Sequence, residues 1–131
     1  MALHLLDADA VIDYLWEVAP SVSLIEELAI EEHQLCISDV VVAEVYTGLR
    51  PLHMDRAVGL MARCRFLSTG MDAARKAGQW RSEYARLGMT LGVGDCLIAA
   101  TAWQHNATLV TGNVRHFPMD EITVVPLPRA R

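Results

Sequence analysis

The chain has 131 residues, 53% of them hydrophobic, and a formal net charge of −5 at pH 7. That length suits one domain, taken as residues 1–131, with a single core, and no apolar run approaches the about 18 residues that a membrane span needs. The high apolar fraction points to a well-covered sheet, a buried oligomer face, or both.

The opening MALHLLDADA has no basic n-region and meets Asp7 early, so it does not read as a secretory signal. Cys36, Cys64 and Cys96 lie far apart and fit neither a disulfide framework nor a zinc pattern. They read as buried small hydrophobes in a reducing cytoplasm.

In chain order, Leu3–Leu6 predicts a short buried strand feeding into Asp7, followed by helices over Ala8–Leu15 and Ser21–Glu32. Leu35–Ile37 predicts a second strand and Val40–Leu49 a helix that Arg50-Pro51 stops, because proline cannot continue it. Met54–Cys64 reads as a helix and Arg65–Ser68 as a third strand. Between Asp72 and Arg86, Ala73, Ala77, Trp80 and Tyr84 recur at i, i+4, i+7 and i+11, an amphipathic stripe that Gly88 ends. Asp95–His105 is a strongly apolar helix opened by an acid, and Thr108–Val110 and Ile122–Val125 supply strands four and five. Strands alternating with helices make an α/β fold with a five-stranded, mostly parallel sheet flanked by helices, whose sites gather at the carboxyl ends of the strands.

Charge is unevenly spread. Residues 1–49 hold ten acids and no Lys or Arg, whereas residues 50–86 hold eight of the eleven basic residues against three acids. An acidic protein with a basic middle is able to meet a polyanion, with Arg75, Lys76 and Arg86 as phosphate contacts, although solvated helix faces give the same pattern. Trp16, Trp80 and Trp103 fall at apolar helical positions and read as core or interface rather than as base-stacking platforms.

Three acids stand where acids are expensive. Asp7 follows HLL, Glu44 interrupts the apolar DVVVAEVY, and Asp95 opens GDCLIAATA. No Lys or Arg in the first 49 residues offers Asp7 or Glu44 a local partner, and uncompensated burial costs a carboxylate several kcal/mol. Converging acids are satisfied by a hard divalent cation such as Mg²⁺ or Mn²⁺. Each also has a plainer reading: Asp7, Asp9 or Asp95 as a helix cap, and Glu44 as an exposed face or a core salt bridge.

Together, LLDADAVI, ISDVVVAEVYTGL, GVGDCLIAATA and LVTGNVRHF resemble the PIN domain and, within it, the VapC-like toxins, in order and spacing from the first residues to about residue 117. The resemblance implies an endoribonuclease that uses Mg²⁺ or Mn²⁺ and is silenced by a cognate VapB-like antitoxin, with a homodimer inside the toxin–antitoxin complex. It places Asp7, Glu44 and Asp95 at the family's three acidic, metal-holding positions. Asn113 stands as a fourth catalytic position, where many members carry another acid. Thr111 and Asp9 then orient the acids that touch the metal. The implied chemistry is hydrolysis of RNA by metal-activated water, which Glu44 or Asp95 orients or deprotonates, leaving a 3′-hydroxyl and a 5′-phosphate.

The five histidines never fall at metal-ligand spacing, and His105 and His116 read as structural. A haloacid-dehalogenase-like phosphatase is the rival on LLDADAV, but Lys76, the only lysine, lies on the polar side of a helix and that family's late acidic pair is absent. A catalytically silent PIN-like binding subunit is the non-enzymatic alternative, opposed by intact acids at all three positions.

Overall fold

A computed structural model describes residues 2–31 and 33–128. Glu32, which the sequence places at the end of the second helix, and residues 1 and 129–131 of the single domain lie outside the described residues. Five strands, β1 (Ala2–Leu6), β2 (His33–Ser38), β3 (Arg65–Leu67), β4 (Thr108–Thr111) and β5 (Val124–Pro126), form one sheet in the order β3-β2-β1-β4-β5. Every pairing among them is parallel, so the sheet is wholly rather than mostly so. Strand order reverses between β1 and β4. That point is where parallel α/β sheets open a crevice, and Asp7 leaves β1 there beside Thr111, the last residue of β4.

Six α-helices among the described residues connect these strands: α1 (Ala8–Leu15), α2 (Ala19–Ile30), α3 (Asp39–Thr47), α4 (Met54–Arg63), α5 (Gly70–Arg86) and α6 (Val93–Gln104). Short 3₁₀ turns follow at Pro51–His53 and Val114–His116. Parallel strands buried on both faces read as continuous apolar runs, and Leu5, Leu6, Leu109 and Val110 are fully enclosed. Helix α6 is the most deeply set, burying Cys96, Ile98, Ala99, Ala100, Thr101 and Ala102. On α5 the expected stripe is real: Ala73, Ala77 and Trp80 are buried.

Several boundaries differ from the sequence reading. Helix α6 begins two residues before Asp95, because Gly92 takes the extended cap conformation and lets Val93 start the helix. Strand β5 is set later than Ile122–Val125, since its register pairs Leu109 with Val124 and Thr111 with Pro126. Trp80 is core at 1% exposure, but Trp16 and Trp103 are 55% and 39% exposed and are not core. Trp16 instead lies against His53 and under the Arg50 guanidinium, while Trp103 and Trp80 flank the Lys76 ammonium. The cysteines are free, two buried and one half-buried. Burial pushes the Cys64 thiol up to about 12, so it stays protonated and unreactive.

Candidate active site

Asp7 sits where the chain turns from β1 into α1. Its backbone N–H donates to the Val110 carbonyl of β4, which ties the turn to the neighbouring strand. The carboxylate caps α1, accepting from the Ala8 N–H at 2.8 Å through Oδ1. The other oxygen, Oδ2, accepts from Thr111 Oγ1 at 2.7 Å. Capping and site membership, alternatives in the sequence, are here properties of one side chain. At 5% exposure Asp7 is nearly closed off from solvent, and burial pushes its pKa up, with the Asp95 charge adding to the rise and the Thr111 and Ala8 hydrogen bonds opposing it.

Asp95 lies in the first turn of α6, with its side chain 28% exposed. It makes no capping bond; the cap is Gly92. Burial raises its pKa, His116 draws it back down, and Asp9 pushes it up. Glu44 corrects the sequence reading of an acid enclosed by apolar neighbours. On α3 it is Val41 and Val45 that are buried, and Glu44 belongs to the exposed side. Its Oε2 nonetheless reaches so close to Gly94 that a β-carbon built there would stand 3.1 Å away, which brings the carboxylate against the first turn of α6. Partial loss of hydration raises the Glu44 pKa, and the charges of Asp7, Asp95 and Asp9 raise it further. Two buried elements, β1 and α6, and the rim helix α3 thus bring three acids into mutual repulsion.

The loop after β4 completes the group. Asp9 Oδ2 accepts from the Gly112 N–H at 2.8 Å and from Asn113 Nδ2 at 3.1 Å, while Thr111 Oγ1 accepts from the Asn113 N–H at 3.0 Å. Asn113 is exposed and donates its amide to Asp9. Thr111 is fully buried and bridges Asp7 to the Asn113 backbone, so it sets the orientation of the acid at the centre. His116, read as structural from sequence, belongs here instead: its Nδ1 lies 3.2 Å from Asp95 Oδ2. A signal for it would have been its position three residues after Asn113, inside the one loop that closes on Asp7 and Asp9. His105 is structural as expected, with Nε2 3.1 Å from the Ser68 carbonyl.

Among the described residues no Lys or Arg pairs with Asp7, Glu44 or Asp95. All donors are oxygen, the set a hard cation selects, and each Asp7 oxygen spends one hydrogen bond and keeps acceptor capacity. No three His, Cys, Asp or Glu side chains among the described residues close tightly enough to encage an ion. A cation here would therefore be held by only one or two carboxylates and keep several waters, a coordination Mg²⁺ accepts.

A wholly parallel five-stranded α/β sheet with four acids gathered at its switch point defines the class: an α/β protein with an acidic centre. The PIN domain sequence profile matches residues 4–121, and the chain belongs to the PIN domain family. It is similar to ribonuclease VapC10 of Mycobacterium tuberculosis, 36% identical over 117 residues that cover 89% of this chain and 87% of the relative. It is also similar to the tRNA(fMet)-specific endonuclease VapC of Shigella flexneri, 33% identical over 100 residues covering 72% and 76% of the two chains. In fold it resembles a chain of VapBC2 from Rickettsia felis, crystallised with a promoter DNA fragment, at a TM-score of 0.83 and 22% identity, covering 95% of this chain and 98% of that one. The family match sets aside the haloacid-dehalogenase-like alternative.

Proposed function

We propose that the protein is an Mg²⁺- or Mn²⁺-dependent endoribonuclease acting as the toxin of a toxin–antitoxin pair in the cytoplasm. Its partner is a VapB-like antitoxin, and it works as a homodimer within that complex. One observation carries the chemistry: Asp7, Glu44 and Asp95 are gathered at one end of the sheet with no Lys or Arg partner among the described residues, and burial first, then neighbouring carboxylates, raises all three pKa values. Carboxylates are gathered at such a cost for a cation. The relatives named as ribonucleases and the toxin–antitoxin complexes of like fold support RNA as substrate and an antitoxin as partner.

When bound, Mg²⁺ would lower the pKa of a coordinated water and neutralise charge on the scissile phosphate. Asp7 and Asp95 would hold it, with Glu44 at its open side. Thr111 keeps Asp7 Oδ2 in place, and its hydroxyl proton is committed to that oxygen. Glu44, the more exposed acid, would orient the attacking water and take its proton, a role its raised pKa suits. Asp9, held by Gly112 and Asn113, fixes the loop after β4 against the start of α1.

The test uses purified protein freed of antitoxin, in Mg²⁺, against total RNA. Wild type should give discrete cleavage with 3′-hydroxyl and 5′-phosphate ends, and Asp95→Asn should keep its circular-dichroism spectrum while losing most of the rate. Full activity in a folded Asp95→Asn protein would remove the acidic centre from the chemistry.

A further inference from the structure

The eight basic residues of the middle segment are largely spoken for by the fold. Arg63 pairs with Glu26, Arg75 with Asp72, and Lys76 with Glu121. Two arginines differ, Arg115 in the cleft that Asp95 lines and Arg81 in the cleft next to it. Arg115 makes no hydrogen bond or ion pair among the described residues. Arg81 spends only Nε, donated to the Leu91 carbonyl at 3.0 Å, so among the described residues its two terminal nitrogens have no hydrogen-bond partner. The two arginines line two adjoining clefts that share Thr90 and Leu91, taken together as a groove. Its inner part is lined by Asp95, His116 and Arg115 together with Thr90 and Leu91. Thr90 and Leu91 also wall the outer part, which Arg81 and Ser82 close from α5. Apart from Asp95 at the inner end, no carboxylate lines this groove among the described residues. Arg86 stands at the rim, its Nη2 on Ser82 Oγ at 3.0 Å.

We propose that this groove, running outward from Asp95 past Arg115 to Arg81, is the track of the RNA strand flanking the scissile phosphodiester. Arg115 and Arg81 make its phosphate contacts. The inference rests on the nuclease reading and adds where the strand leaves the site and which residues hold it. Sign reversal is the physical case: four acids make the centre repel a polyanion until a cation arrives, and the arginines lining this groove supply attraction along it. Arginine suits the task, because its planar fork meets two phosphate oxygens at once. Arg81 is also pre-oriented, since its bond to Leu91 fixes the guanidinium before any strand binds. Arg115 and Arg81 are positioning residues; neither is placed on the reacting atoms.

The experiment measures binding of a short fluorescein-labelled single-stranded RNA by anisotropy, in Ca²⁺, across a KCl series, and steady-state cleavage in Mg²⁺. Neutralising one phosphate contact should flatten the slope of log K against log[salt] by about 0.7 for single-stranded RNA. Arg115→Gln and Arg81→Gln should each do so, weaken binding by roughly tenfold, the scale of one charge-assisted hydrogen bond, and raise KM more than they lower kcat. Arg81→Lys keeps the charge and should restore most of the slope. Arg75→Gln, a phosphate contact in the sequence reading, lies outside this groove and pairs with Asp72 on its own helix, so it should leave the slope as in wild type. Should Arg81→Gln disturb the Leu91 loop, Arg115→Gln still decides, because that side chain has no hydrogen bond or ion pair among the described residues to release. Wild-type cleavage with unchanged slopes in both glutamine variants, or an equal loss in Arg75→Gln, would overturn the track and leave the nuclease reading standing. Wild type that neither binds nor cleaves RNA would overturn both.

Discussion

Replacing Glu44 with glutamine separates a carboxylate kept for a cation from one kept for the fold. The change removes one charge and almost no volume. In the metal-free protein Glu44 faces the charges of Asp7, Asp95 and Asp9 and has no Lys or Arg partner among the described residues. Two unit charges about 4 Å apart repel by about 1 kcal/mol in a water-like dielectric. Glu44 is exposed, so screening keeps the sum over three neighbours to about 0.5–1 kcal/mol. Thermal melts in EDTA at low salt should therefore place Glu44→Gln above wild type by about 2–5 °C. The gap should narrow in high salt as the Debye length shrinks, while activity in Mg²⁺ falls steeply. A buried salt bridge at this position would instead cost about 3–5 kcal/mol on losing its acid. A loss of stability on that scale in EDTA would refute the reasoning and leave the centre to Asp7 and Asp95.

Stability of the metal-free protein should rise as pH falls from neutral toward the raised folded-state pKa values of Asp7, Glu44 and Asp95. A carboxyl whose folded pKa exceeds its unfolded one binds its proton more readily when folded, so protonation favours the native state. Lower still, below the ordinary carboxyl range, Glu26 and Glu121 give stability back, because Arg63 hydrogen-bonds Glu26, and Trp80 with Lys76 hydrogen-bonds Glu121, holding both pKa values down. Melts in EDTA that fell monotonically from pH 7 to 5 would contradict this. Thr111→Val deletes the hydroxyl that donates to Asp7. It should cost about 1–2 kcal/mol in a urea melt and move the acid limb of the cleavage profile to higher pH; an unmoved limb would mean Thr111 serves the loop alone. Trp80→Ala opens the core and removes the indole N–H that donates to Glu121, an expected loss of about 3–5 kcal/mol that a change under about 1 kcal/mol would rule out.

Most of this architecture was legible because parallel α/β proteins write their strands as short apolar runs and their helices as periodic stripes. The helix over Ala8–Leu15 is found at those residues, and the stripe from Ala73 to Trp80 is buried as its spacing requires. Asp7 was legible for the same reason, an acid set directly after a buried strand. Glu44 was found for a wrong reason. DVVVAEVYT is apolar on nearly every side, which reads as enclosure, but α3 buries Val41 and Val45 and leaves Ala43, Glu44 and Tyr46 exposed. Its proximity to the other acids comes from Gly94, whose missing side chain makes room. His116 was not legible, since its contact with Asp95 joins a loop to a helix 21 residues earlier and no local pattern encodes that closure. The same holds for Arg81 and Leu91, which meet only because the turn at Gly88, with φ of 83°, folds α5 back toward α6. Exposure of Trp16 and Trp103 escaped for a simpler reason: an apolar helical position predicts contact, and both rings lie against cationic side chains on the surface.

The central claim is that these acids act through a bound divalent cation, and metal titration of RNA cleavage tests it most directly. Protein freed of antitoxin and stripped with EDTA should be inert toward RNA. Adding Mg²⁺ or Mn²⁺ should restore cleavage, and Ca²⁺, with its longer and looser coordination, should restore little. Full cleavage by wild-type protein in excess EDTA would contradict it.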